Sequence, residues 1–183
     1  TRASNHEINL IEKNFILQIN KILESGIQPT HLDGHNHMHV HPRLSGVLKR
    51  IIKQTNISNI RMPFERISSY SNFGSRVKKW TLACASLIAW FHLNNLVSYP
   101  KWFHGLSNGG SLNINILEDI LLKKVQPGIN ELMCHIGIEN DDPPFSIGYK
   151  WQNEFRAMTK YSKKEIFSLY NINIISYKDI KLK

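Results

Sequence analysis

Cysteine is scarce in this sequence, which contains only Cys84 and Cys134 among 183 residues. The two cysteines have no C-x-x-C spacing and are too few for a disulfide-bonded scaffold. Both lie among apolar residues, so we expect free, buried thiols in a protein of the reducing cytoplasm. The sequence thereby excludes a C-x-x-C redox motif and a fold that disulfides hold together.

Long apolar runs are also missing. No stretch reaches the roughly 18 apolar residues that a transmembrane helix needs, and the nearest candidate, residues 80–91, is too short to span a bilayer. No secretory signal is recognisable. With 42% hydrophobic residues the chain can bury one good core, and its length predicts a single domain over residues 1–183. It starts at Thr1 and its first methionine is Met38, so we expect a processed chain or a fragment.

Acidic residues number 14 against 23 Lys and Arg, and the formal net charge is +9. Such a charge suits nucleic acid or an anionic membrane as a partner. The basic residues are spread along predicted helices, for example Lys49, Arg50 and Lys53 on one of them, without an aromatic-interleaved basic motif. We therefore expect no nucleic-acid partner. A non-catalytic basic module that binds metal or an anionic polymer stays open as an alternative.

Histidine, in contrast, is concentrated in one place. Five of the nine histidines fall within residues 31–41, and Asp33 is the acidic residue among them. Neutral imidazole is the commonest side-chain metal ligand near neutral pH, and a neighbouring carboxylate either binds the metal or orients a ligand. The segment therefore predicts one wall of a metal site.

The spacing of these histidines allows two local structures. If a strand ran through His35, His37 and His39, all three would point to one face and form a cage. Gly34 and Pro42 favour instead a buried strand at residues 30–33 that opens into a loop, from which the first one or two histidines reach the metal. The alternative is that these histidines lie on the surface, or lie in the core with their ring nitrogens bonded to the backbone.

Hydrophobic periodicity predicts alternating helices and strands. A capping box at Ser4 and Glu7 begins the first helix, which ends at Gly26. Pro42 opens the second, whose predicted buried face consists of Leu44, Val47, Leu48, Ile51 and Ile52. The further predicted elements are a strand at 57–62, a helix at 75–94, an aromatic turn-rich segment at 99–106, a helix at 112–125, a strand at 129–135, a loop at 141–144, helices at 151–159 and 162–170, and a strand at 173–176.

This order predicts an α/β fold with a parallel sheet and helices outside it. In such folds ligands bind beyond the carboxyl ends of the strands. His35 and His135 both fall at predicted strand ends, so we expect them to face one cleft. The apolar residues 80–91 and the aromatic residues around Trp102 favour core packing and leave a homo-oligomer or a lipid-like substrate open.

The histidine segment belongs to a wider set of motifs. They are Pro29-Thr30-His31-Leu32-Asp33-Gly34-His35-x-His37-x-His39, Ile60-Arg61-x-Pro63, Glu131-Leu132-Met133-Cys134-His135-x-Gly137, and Phe103-x-Gly105-Leu106 followed by Gly109 or Gly110. Together they resemble the YdjC-like carbohydrate deacetylases, which include chitooligosaccharide deacetylase and the hopanoid-biosynthesis-associated branch called HpnK. The motif that begins at Phe103 is more similar to the HpnK branch than to the chitooligosaccharide branch.

The resemblance implies a distorted (β/α) barrel of the glycoside hydrolase/deacetylase type, incomplete at the N-terminus, that removes N-acetyl groups from an amino sugar or glycan. It implies a divalent metal, Mg²⁺ or Zn²⁺, with His35 and His37 as ligands. Asp33 and His135 are the implied catalytic residues, with His135 protonating the departing amine. Arg61 is the implied substrate-binding residue, since its planar guanidinium can hold a sugar hydroxyl or carboxylate, and a plain surface or ion-pair role is the alternative.

Two departures accompany the resemblance. The family's Asp-Asp motif and its other metal histidine lie ahead of Thr1, and Ile136 stands where the family usually has proline. We therefore expect the chain alone not to be a competent deacetylase. Another metal-dependent hydrolase with a His-x-His pair stays open as an alternative, because that pair by itself is common.

Overall fold

The computed structural model describes residues 4–65, 73–137 and 148–180. The chain divides into two compact units, the first built from Thr1–Pro63, Trp80–Tyr99 and Ser176–Lys183, and the second from Phe64–Lys79 and Pro100–Ile175. The predicted loop at 141–144 lies outside the described residues. The helices and strands are α1 Asn5–Glu24, α2 Ser45–Thr55, α3 Phe73–Leu93, β1 Trp102–His104, α4 Ile114–Asp119, β2 Asn130–Leu132, α5 Trp151–Thr159 and α6 Lys163–Tyr170.

Helix α1 forms as the sequence predicts. The Ser4 hydroxyl accepts the backbone N–H of Glu7, and the Glu7 carboxylate accepts the backbone N–H of Ser4, so the capping box is complete. Its apolar residues pack towards α2, where Ile19 joins Val47 and Ile51 in one buried cluster. The helix therefore adds its apolar stripe to the core of the first unit.

Helix α2 also matches its prediction. A 3₁₀ turn at Pro42–Leu44 leads into it, and Asn56 ends it in the left-handed conformation. The predicted inward residues are all buried, and each contributes about 2 kcal/mol of burial free energy. They are Leu44, Val47, Leu48, Ile51 and Ile52.

The strands predicted at 30–33 and 57–62 are much shorter than expected. They are single parallel bridges, Leu32 with Ile60 and Asn59 with Ser98. The backbone N–H of Leu32 donates to Asn59 O at 2.9 Å, and that of Ile60 donates to Ser98 O at 3.0 Å. Three chain segments thus run side by side and in parallel through the first unit.

The second unit holds the one regular strand pair in the described part of the chain. β1 and β2 are parallel, with Trp102 opposite Asn130 and His104 opposite Leu132. The prediction of turns at 99–106 was wrong for β1, because Pro100 and Gly105 mark its ends and not its interior. The strand predicted at 173–176 is also absent, and those residues form no regular element.

The helix predicted at 112–125 is interrupted. α4 ends at Asp119 and continues as a π-helical turn over Ile120–Lys124. α5 and α6 lie where predicted, and a capping box of Ser162 and Glu165 begins α6. Helices with short parallel strand pairs make this an α/β protein, as predicted, while a single domain over residues 1–183 stays a prediction.

Two predictions about composition can also be compared with the structure. Cys84 and Cys134 are not joined in a disulfide, but Cys84 is exposed on α3 and Cys134 is half-buried, so the prediction of two buried thiols was wrong. Cys84 shares the exposed face of α3 with Trp80 and Phe91. None of the helices in the described segments combines the length and the apolar composition that crossing a membrane requires.

Candidate active site

The histidine segment is a turn and not a strand. A 3₁₀ turn spans His35–Val40, and Asn36 and His37 have φ of 50° and 59°. Asparagine adopts this left-handed region readily, whereas a histidine there is uncommon. The turn breaks the alternation on which the three-histidine cage depended, leaving His35 exposed while His37 and His39 are buried.

His39 is bonded to the backbone through both ring nitrogens. Nδ1 accepts the N–H of Gly34 at 2.9 Å, and Nε2 lies 2.8 Å from the carbonyl oxygen of Arg61. Since a carbonyl only accepts, Nε2 carries the proton. Burial lowers the pKa of His39, although its backbone bonds and the nearby Asp33 charge oppose that effect. His39 is thus a neutral structural histidine, which matches the alternative of core histidines bonded to the backbone.

Gly34 permits this arrangement because it lacks a side chain. A Cβ at Gly34 would lie 3.0 Å from the backbone nitrogen of His39 and 3.2 Å from its Nδ1. Those separations are too short for the bonded ring to stay in place. Close packing against His39 therefore explains the glycine of the Asp-Gly-His sequence.

Asp33 and Arg61 form an ion pair in the first unit. Arg61 Nη1 donates to Asp33 Oδ2 at 2.6 Å, and Asp33 Oδ1 lies 3.5 Å from His39 Nδ1. The two charged side chains are partly buried, at 20% and 29% exposed. The structure thus brings together the predicted catalytic Asp33 and the predicted substrate-binding Arg61, while the role of each stays a prediction.

The side chains present do not by themselves complete a metal site. Across residues 4–65, 73–137 and 148–180, no group of three His, Cys, Asp or Glu side chains is arranged to hold a metal ion. Asp33 is paired with Arg61, and both ring nitrogens of His39 are bonded. A metal held by His35 and His37 would need further ligands, so these two assignments stay predictions.

His135 lies three residues beyond the end of β2, in the second unit. Its backbone N–H donates to Glu154 Oε2, and the same oxygen lies 3.8 Å from its ring Nδ1. Nδ1 is buried and has no hydrogen-bond partner within residues 4–65, 73–137 and 148–180, although the side chain as a whole keeps 33% of its surface exposed. That His135 and His35 face one cleft stays a prediction.

Two further residues enclose the His135 ring. Tyr149 packs against it edge to face, with 4.9 Å between ring centroids and 63° between planes. A Cβ at Gly109 would lie only 3.2 Å from His135 Cε1. Gly109 belongs to the glycine-containing motif that begins at Phe103. This end of the motif therefore lies beside His135.

Glu154 is the residue that the sequence prediction missed. It is fully buried on α5, and its Oε1 accepts the N–H of Leu112 at 3.1 Å. Glu154 and Ala157, three positions apart, are the two buried residues of α5. A carboxylate on the inward stripe of an amphipathic helix is a recognisable signal, because buried carboxylates require partners.

Comparison with known proteins identifies the family. The model of the YdjC-like protein family matches residues 2–168. A carbohydrate deacetylase from Danio rerio is 27% identical over 130 residues, which cover 66% of this chain and 40% of that protein. A carbohydrate deacetylase from Clostridium beijerinckii is 23% identical over 172 residues, which cover 93% of this chain and 61% of that protein.

The chain thus spans less than two thirds of the length of either relative. No solved structure gives a significant match. The family match covers most of the chain and includes both histidine motifs, so the predicted resemblance is confirmed at the family level. This chain belongs to the YdjC-like protein family.

Proposed function

We propose that this chain is part of a metal-dependent hydrolase that removes N-acetyl groups from an amino sugar or glycan, of the HpnK type. The observation that carries the proposal is the family match over residues 2–168. Two relatives named carbohydrate deacetylase support the substrate class. A distorted (β/α) barrel is the fold we propose, supported by the parallel pairing within each unit.

His135 is the proposed proton donor to the amine that leaves. Its ring lies beside the fully buried Glu154 and packs against Tyr149, while part of its surface stays exposed, as a group that must meet a substrate requires. General acid catalysis by a positioned histidine typically accelerates such a step about 10²–10⁴-fold. The geometry around His135 therefore suits the final step of amide cleavage.

Asp33 and Arg61 are proposed to act as a pair. The 2.6 Å contact fixes the direction of both the carboxylate and the guanidinium. We propose that Asp33 acts in catalysis and that Arg61 orients it while it binds a polar group of the sugar. Mg²⁺ or Zn²⁺ is the proposed cofactor, with His35 and His37 as its ligands from this chain.

The test measures metal content and acetate release from N-acetylglucosamine oligomers, with the protein expressed from its natural start codon. We expect about one divalent metal per chain, since a catalytic site of this type holds one ion. Both metal and acetate release should be lost in His35→Ala and His37→Ala. The matched control is His41→Ala, an exposed histidine of the same segment that accepts the Arg43 N–H.

The outcomes separate the proposal from its alternatives. Retained metal and acetate release in His41→Ala, with loss of both in His35→Ala, supports the deacetylase. Acetate release that is unchanged in His35→Ala and His37→Ala would contradict their role as ligands. Absence of acetate release from the unmodified protein, with every N-acetyl amino sugar tried, would contradict the proposed activity itself.

A further inference from the structure

A fully buried carboxylate stands beside the proposed proton donor. Glu154 is 0% exposed, and its two oxygens accept the backbone N–H groups of Leu112 and His135. Burying a carboxylate is costly unless hydrogen bonds and an opposite charge compensate it. Two neutral backbone donors provide only part of that compensation.

A third polar atom beside this carboxylate is the ring nitrogen Nδ1 of His135. Nδ1 lies 3.8 Å from Glu154 Oε2 and makes no hydrogen bond with any of the described residues. That distance is slightly longer than a hydrogen bond, as is common for catalytic pairs when no substrate is bound. A small ring movement would let Nδ1–H donate to the carboxylate.

Packing restricts the orientation of the His135 ring. Gly109 lies against Cε1, where even a methyl group would be only 3.2 Å away, and Tyr149 covers another side of the ring. The backbone of His135 is bonded to the same Oε2 atom that faces its side chain. The main-chain N–H and the ring Nδ1 of His135 therefore both face one carboxylate oxygen.

We propose that Glu154 is a positioning residue that holds His135 with Nδ1–H towards its carboxylate, leaving Nε2 to carry the proton that the substrate receives. This inference rests on the proposed function, in which His135 protonates the leaving amine. As the C–N bond breaks, its electron pair goes to nitrogen, which takes the Nε2 proton, while water supplies the oxygen of the acetate and its protons pass to solvent. The imidazolium thereby becomes the neutral Nδ1–H tautomer, which the carboxylate stabilises.

The first test compares two leaving groups in the protein expressed from its natural start codon. An N-acetyl amino sugar releases an amine that needs a proton, whereas 4-nitrophenyl acetate releases a phenolate that does not. For Glu154→Gln we expect kcat on the amide to fall about 10–100-fold, the usual effect of removing such a supporting contact, with KM nearly unchanged. Hydrolysis of the aryl ester should change less than about 3-fold, because its leaving group bypasses the proton donor.

Glu118→Gln is the matched control. Glu118 lies in the same unit, and its carboxylate accepts from Lys160 and Tyr161 without contacting His135. The Glu118→Gln variant carries the same chemical change as Glu154→Gln, so its kcat should equal that of the unmodified protein with both substrates. Equal losses on amide and ester in Glu154→Gln would show a merely structural role and overturn the proposal, as would no loss on either.

Failure of the proposed function is distinguishable from failure of this inference. If His135→Ala hydrolyses the amide at the unmodified rate, the role of His135 is wrong whatever Glu154 does. If His135→Ala is impaired and Glu154→Gln is not, only the positioning role is wrong. The double variant should be no slower on the amide than His135→Ala alone, because the carboxylate acts through that ring.

A second measurement needs no variant and no activity, should Glu154→Gln fail to fold. A long-range ¹H–¹⁵N spectrum of the unmodified protein reports which ring nitrogen of neutral His135 carries the proton. The proposal predicts Nδ1–H. Isolated histidine prefers Nε2–H, so an Nε2–H signal from His135 would overturn the positioning role of Glu154.

Discussion

The two histidine regions of this protein differ in how their side chains are used. The turn at His35–Val40 has the denser motif, yet its most buried histidine, His39, is fully bonded to the backbone of Gly34 and Arg61. His135, in the second unit, has no other histidine near it in the sequence, and the buried carboxylate of Glu154 lies beside its Nδ1. The contrast teaches that the partner of a histidine, and not the density of histidines, indicates what it does.

The largest expected effect is on catalysis in the second region. His135→Ala should lower kcat for an N-acetyl amino sugar about 10²–10⁴-fold, because it removes the proposed proton donor. Acetate release by the protein expressed from its natural start codon measures this. His92→Ala is the control, since His92 is an exposed residue of α3 that contacts only its own helix at Ile88 O among the contacts described. Similar losses of kcat in both variants would contradict the role of His135 as proton donor.

The next effect concerns stability in the first region. His39→Ala should lower the free energy of unfolding by about 2–3 kcal/mol, because it leaves a cavity and removes two hydrogen bonds to the backbone. Urea denaturation measures the change. With both variants measured after the metal is removed by a chelator, His35→Ala, which removes an exposed histidine of the same turn, should cost less than about 0.5 kcal/mol. Equal costs would show that His39 is not the structural histidine of the pair.

A smaller effect tests the packing of the His135 ring. Gly109→Ala should reduce kcat about 3- to 10-fold, because its Cβ pushes on Cε1 and turns Nε2 by a few tenths of an ångström. Gly46→Ala is the matched control, since its Cβ would meet only Arg50 Nη1 at an ordinary 3.7 Å. That change should leave kcat unaltered and stabilise α2 by about 0.5–1 kcal/mol. Unchanged kcat in Gly109→Ala would contradict the close fit of the ring.

Much of the helical structure follows from local sequence. The capping box at Ser4 and the inward face of α2 depend on residues within a few positions of each other, so periodicity and capping rules predicted them correctly. The strands were harder to predict, because their hydrogen bonds join distant segments such as Leu32 and Ile60. The strand β1 was hidden by the turn-forming residues Pro100 and Gly105 at its ends.

The candidate sites were predictable only in part. The sequence singled out Asp33, Arg61 and His135 for roles that stay predictions, and the structure places Arg61 against Asp33 and Glu154 beside His135. The left-handed conformation of His37 has no local sequence signal. Glu154 bonds to backbone groups 19 and 42 positions away, so no motif could have joined it to His135. The contacts that distinguish His39 from His135 could therefore be found only in the three-dimensional structure.

One spectrum tests the comparison most directly. In a long-range ¹H–¹⁵N spectrum of the unmodified protein at a pH where both rings are neutral, His39 should carry its proton on Nε2, because Nδ1 accepts from Gly34. His135 should carry its proton on Nδ1, facing Glu154. Opposite tautomers are the predicted result. The same Nε2–H tautomer at both positions would contradict the distinction between a structural and a catalytic histidine.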